Sequence, residues 1–189
     1  HPITTLVARP TLVLGHRPCD DYGPIHIKNS KSKKESAMGF ALSDMQLTST
    51  AFATGSRIPS KHTGEGVDVS PELSWSHAPE GTKAFAVICH DPDAPLVTPR
   101  TYGYVHWVLY NIPGDISSLP EAVDQYTSGN SDFGKPGYGG PMPPEGHGVH
   151  NYFFWILALD TDAPLPDGLS MWDLLEEIEP NLIGMNRLV

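Results

Sequence analysis

The chain is most constrained where the apolar run Ala84-Phe85-Ala86-Val87-Ile88-Cys89 meets His90-Asp91-Pro92-Asp93-Ala94-Pro95. A run of this length and composition reads as a core strand. The two prolines that follow cannot donate to a ladder and hold the backbone in an open turn. Asp91 and Asp93 are thereby delivered at the mouth of a core strand by a stiff loop, a common way to build a site. Two later stretches look complementary: Tyr104-Val105-His106-Trp107 and Gly146-His147-Gly148-Val149-His150-Asn151-Tyr152. Each is expected to place a histidine at the start of another long apolar strand. Asp91, His106 and His150 are therefore expected to converge at strand ends around one small pocket.

The length of 189 residues suits one domain with a real core and an appended tail. Nineteen prolines and eighteen glycines make about a fifth of the chain, which favours short strands and shaped loops over helices. A formal charge of −10 argues against nucleic acid as a partner, since phosphate backbones require a basic face. A small anion in a pocket is compatible with it, because local donors decide that case. Two cysteines, Cys19 and Cys89, are too few for a disulfide scaffold, and Cys89 reads as a buried free thiol. The longest apolar run, residues 152–159, is eight residues, well short of the ~20 that cross a bilayer. A cytoplasmic placement is expected, with the periplasm as the alternative.

Residues 1–37 read as an extension or linker, a leader or an artificial addition, because 28–36 is polar, lysine-rich and aperiodic. The domain is expected over 38–189. Leu42, Met45 and Leu47 suggest a first strand, Ser70 to Trp75 a turn feeding a second, and Tyr102 to Ile112 a long aromatic strand. Residues 113–148 show neither helical nor strand period, and 133–144 is a Gly/Pro run of the kind found in functional loops. Val149 to Asp160 reads as a strand buried on both faces. One helix is predicted after Ser170, with Asp173 completing a capping box, Met171, Leu174, Leu175 and Ile178 forming its apolar stripe, and Pro180 limiting it. The fold class is mainly β, antiparallel, with peripheral helix.

Taken in order, Asp91-Pro92-Asp93-Ala94-Pro95, His106-Trp107, Gly140-Pro141, Pro143-Pro144 and Gly148-Val149-His150-Asn151-Tyr152 resemble the phosphatidylethanolamine-binding protein family. This family is also called Raf kinase inhibitor protein-like, and the closer match is to its bacterial and archaeal branch. Ser70-Pro71-Glu72-Leu73-Ser74-Trp75, Asn111-Ile112-Pro113 and Ala158-Leu159-Asp160 fit that branch, and the similarity spans roughly residues 43–189. The resemblance implies a β-sandwich with a small anion-binding pocket at one end. It implies Asp91, His106, Pro144, His150 and Tyr152 as ligand-binding residues, with Asp93, Pro95 and Gly140 shaping the loops. The chain departs from the family at Asn151, where many relatives carry Arg, and family members commonly run further than Val189.

Imidazole titrates near pH 6.5, so it can donate to a phosphate oxygen and become charged when one arrives. In such a pocket Asp91 is expected to accept an imidazole N–H and fix the tautomer, leaving the anion to the rings. Trp107, Phe153, Phe154 and Trp155 are expected in the core. The ligand expected is a small anion: phosphate, phosphoethanolamine or an acetate-like group. By family analogy a kinase or protease is the protein partner. Neither an enzyme activity nor a cofactor is expected, since no nucleophile elbow or Walker loop is present. Three rivals stand beside this reading: a hydrolase using the Asp/His cluster, a zinc site made of His147, His150, His106 and Asp91, and an interaction module using the pocket mouth and loop 133–148.

Overall fold

The computed structural model describes residues 42–95 and 102–189. The stretch read above as an extension, residues 1–37, lies outside the described residues, as does Cys19. In chain order the strands are β1 (Gln46–Thr48), β2 (Leu73–Ser76), β3 (Ala84–Asp91), β4 (Tyr104–Pro113), β5 (Ser118–Leu119), β6 (Thr127–Ser128), β7 (Phe153–Leu159) and β8 (Leu182–Leu188). One helix, α1 (Met171–Ile178), precedes β8. Every strand pair is antiparallel, in a three-stranded sheet ordered β1-β2-β5 and a five-stranded sheet ordered β6-β4-β3-β7-β8. The protein is mainly β, an antiparallel sandwich with a peripheral helix.

The uninterrupted apolar run of β3 has a direct cause, because every residue of this central strand is buried. Phe85, Val87 and Cys89 face the layer between the sheets, where they meet Leu73, Trp75, Trp107, Leu109 and Phe154. Ala84, Ala86 and Ile88 face the opposite side, beneath Met171, Leu174 and Ile178 of α1. With both faces covered, the usual polar alternation of a half-exposed strand has no place to appear. Cys89 is a free, buried thiol within this strand.

The capping box that starts α1 forms as expected, with Ser170 Oγ accepting from Asp173 N and Asp173 Oδ2 accepting from Ser170 N. Such a cap stabilises a helix by about 1 kcal/mol. Beyond α1, Pro180 sits in a 3-10 turn, Glu179–Asn181, and the chain enters β8. The sequence over 182–188 carries no clean strand pattern, because Gly184 and Asn186 interrupt its apolar residues. Both have structural reasons. A Cβ on Gly184 would lie 2.6 Å from Pro79 Cγ, and the Asn186 side chain donates to the carbonyls of Ser43 and Met45, clamping the segment before β1 against β8.

The third long strand begins later than its apolar residues suggest. β7 starts at Phe153, and Val149 is 87% exposed. His150 therefore lies in the approach to a strand, whereas His106 is the third residue of β4. Trp107 and Phe154 are core residues as expected, but Phe153 and Trp155 are half-buried on the outer face, stacked on each other beneath the Arg187 guanidinium.

Candidate functional site

The loop that leaves β3 is clipped to the segment that enters β7 by two carboxylates. Asp91 Oδ2 stands 2.6 Å from His150 Nδ1, and Asp91 Oδ1 accepts the Asp93 N–H at 2.8 Å. Asp93 Oδ2 in turn accepts from the backbone and side-chain nitrogens of Asn151, at 2.8 and 2.7 Å. These Asn151 bonds hold the Asp93 carboxyl below its ordinary value. Asp91 is 2% exposed and both of its oxygens are committed inside the protein, so it orients a histidine. A carboxylate can only accept, so His150 Nδ1 carries the proton and Nε2 is the ring nitrogen left for a ligand.

His106 reaches the same region through an irregularity in β4. Cys89 pairs with Trp107 but the next residue, His90, pairs with Val105, which leaves His106 as an extra residue in the ladder. A bulge of this kind re-aims a side chain. Consecutive residues of a regular strand point to opposite faces. Here Trp107 joins the layer between the sheets, and His106 too packs its ring against Tyr152 of that layer, 5.2 Å between centroids. His106 Nδ1 lies 2.7 Å from Gly139 O, so it must donate there, and among the described residues Nε2 has no hydrogen-bonding partner. Both histidines are thus anchored through Nδ1. Burial holds the His106 imidazole below its ordinary value, partly offset by the Gly139 carbonyl and the charges of Asp91 and Asp132. Burial, then the Asp91 charge, pushes the Tyr152 phenol up, so it remains a donor across the physiological range.

An open cavity of about 510 Å³ lies against this cluster. His150 and Tyr152 line it, with Asn151 and Val149 beside them; Asp91 and His106, expected at the same pocket, are buried and are not part of its lining. The opposite side comes from the segment after β1, with Ser56, Arg57, Ile58, Thr63 and Glu65. Arg57 was not singled out from the sequence, where it lies in a polar loop without a motif. Pro141 and Pro143 line the cavity; Pro144, the proline suggested by the resemblance, is exposed and lies outside the lining. Pro95 is exposed just past the β3 turn. Gly140 has a strict steric role: a Cβ there would meet His62 O at 2.6 Å and Asp68 Oδ1 at 2.7 Å. His147 and His150 stack 6.0 Å apart, and among the described residues no three His, Cys, Asp or Glu side chains are grouped so as to hold a metal ion.

Fold and site together define an antiparallel β-sandwich with an Asp/His cluster and a cavity at one end of its sheets. The family model for phosphatidylethanolamine-binding protein matches residues 48–189. A UPF0098 protein of Methanothermobacter thermautotrophicus is 42% identical over 152 residues, covering 77% of this chain and 96% of the relative. One of Aquifex aeolicus is 39% identical over 153 residues, covering 77% and 86%. Among solved structures, a putative phosphatidylethanolamine-binding protein homologue from Chlamydia trachomatis superposes with a TM-score of 0.71 at 35% identity, over 76% of this chain and 94% of that one. Escherichia coli YbcL, described as a member of the mammalian family, gives a TM-score of 0.69 at 34% identity, over 77% and 96%. The chain belongs to the phosphatidylethanolamine-binding protein family, in the branch that holds its bacterial and archaeal members.

Proposed function

We propose that the protein binds a small anion, phosphate or a phosphorylated head group, in the cavity beside His150 and Tyr152. The observation that carries this reading is the 2.6 Å contact between Asp91 Oδ2 and His150 Nδ1. It fixes the tautomer and leaves Nε2 to take up a proton and donate to an incoming oxygen. The Tyr152 hydroxyl adds a neutral donor and Arg57 a permanent charge on the facing wall. Calorimetric titration with phosphate and with phosphoethanolamine, on the wild type and His150→Ala, tests it. Binding that disappears in the variant supports the reading; equal binding by both proteins overturns it.

By family analogy the anion-binding protein modulates a kinase or protease; in the rival reading, an interaction module, a partner docks over the pocket mouth and loop 133–148, where Met142 and Val149 are exposed apolar residues. Placement in the cytoplasm is compatible with this, and among the described residues no helix is long and apolar enough to cross a membrane. Residues 1–37 stand outside the stretch that the family model matches, which supports reading them as an extension to a domain over 38–189.

A further inference from the structure

One peptide unit, Gly139–Gly140, is held from both ends. Its carbonyl accepts from His106 Nδ1 at 2.7 Å, and its N–H donates to Asp68 Oδ1 at 2.6 Å. We propose that Asp68, a residue of the segment between β1 and β2, is a positioning residue for His106. It acts through this peptide to keep the imidazole in the Nδ1–H tautomer and to strengthen the carbonyl that receives that proton. The idea rests on the anion-binding reading only for its use; the relay itself is a property of the unliganded protein.

The surroundings leave little room for a side chain on either side of this peptide. A Cβ on Gly139 would meet the Phe133 ring at 2.3 Å, and one on Gly140 would meet His62 O and Asp68 Oδ1. Glycine at 140 is therefore a sequence requirement of the relay, because the atoms its Cβ would meet include backbone; at 139 the obstacle is the partly exposed Phe133 ring. The segments carrying its ends are joined elsewhere too: Tyr138 Oη donates to His62 O at 2.7 Å, and Gly64 N donates to Pro141 O at 3.0 Å. Asp68 itself has φ of 60°, a left-handed conformation that Asp tolerates better than most residues. A carboxylate facing the N–H end of a peptide polarises it, and hydrogen bonds in such chains reinforce one another. The His106 ring gains basicity from this, against the burial that opposes its charging. The other groups facing the ring are Asp91 and His90 from β3, Asp132 from the loop after β6, and the rings of Tyr104, Phe133 and Tyr152.

Long-range proton–nitrogen NMR of the imidazoles reads the tautomer and titration of His106 without any ligand. In the wild type His106 is expected as the Nδ1–H form. In Asp68→Asn the amide oxygen can still accept from Gly140 N–H, so the tautomer should persist while the titration midpoint moves to lower pH by roughly half a unit, as a screened charge is lost. In Asp68→Ala the peptide loses its anchor and the Nε2–H form should appear. An unchanged tautomer and midpoint in both variants overturns the relay, as does a midpoint that moves equally in Asp68→Asn and Asp68→Ala with no change of tautomer. Should Asp68→Ala fail to fold, Asp68→Asn alone decides through its midpoint. Loss of phosphate binding in His150→Ala is a separate readout, so failure of the anion reading leaves this test standing.

Discussion

Replacing Asp91 by Asn changes the charge of the central carboxylate and almost nothing else in its volume. The Asn oxygen can still accept the Asp93 N–H now bonded at 2.8 Å. Its amide nitrogen only donates, and it meets His150 Nδ1–H donor to donor where the carboxylate now stands at 2.6 Å. The neutral ring escapes by moving its proton to Nε2, which leaves an uncharged donor facing the cavity. Charge-assisted hydrogen bonds are roughly twice as strong as neutral ones, so the difference amounts to about 1–2 kcal/mol. That is about a 5- to 30-fold loss of affinity for sulfate, an anion that does not itself titrate near neutrality. The fold should also lose about 2 kcal/mol with this buried hydrogen bond to a carboxylate, which lowers Tm by about 4–8 °C. Calorimetry with sulfate near pH 6.5 and thermal denaturation read the two effects. An Asp91→Asn protein that binds sulfate as tightly as the wild type would refute the argument.

Two further outcomes follow from burial. Because His106 is held below its ordinary value, the folded protein binds fewer protons at this ring than the unfolded chain does. Its contribution to stability is therefore complete above the unfolded value near 6.5 and is lost as pH falls toward the folded value, by at most about 1.4 kcal/mol per pH unit. His106→Asn, whose amide can donate toward Gly139 O, should flatten the dependence of Tm on pH between about 7 and 5.5; parallel curves would remove His106 from the account. The Cys89 thiol is pushed well up by burial and by the nearby Asp91 charge, so it should resist thiol reagents in the native protein and react on unfolding; rapid native labelling would show that β3 opens.

Much of the fold was legible because one strand is buried on both faces. The apolar run of β3 and the proline turn after it placed Asp91 correctly, and Ser170 and Asp173 placed the start of α1. β8 was hidden because its two interrupting residues answer to contacts distant in sequence: Gly184 to Pro79, Asn186 to Ser43 and Met45. Residues 149–152 read as the start of a strand yet form the approach to one, since the sequence pattern alone does not say which residue first finds a ladder partner. At the site, residue type pointed to Asp91, His106, His150 and Tyr152. The bulge that aims His106 carries no local signature, and the facing wall with Arg57 comes from a loop whose composition is unremarkable. Choosing between Pro143 and Pro144 needed coordinates, because adjacent prolines differ only in which way the chain has turned.

The central claim is that an anion is met by an imidazole that becomes charged on its arrival, and proton linkage measures this directly. Sulfate binding enthalpy is determined near pH 7 in buffers of different ionisation heat, for the wild type and His150→Ala. The account predicts net proton uptake on binding by the wild type and its loss in the variant. Binding without proton uptake, or uptake that survives the loss of His150, would contradict it.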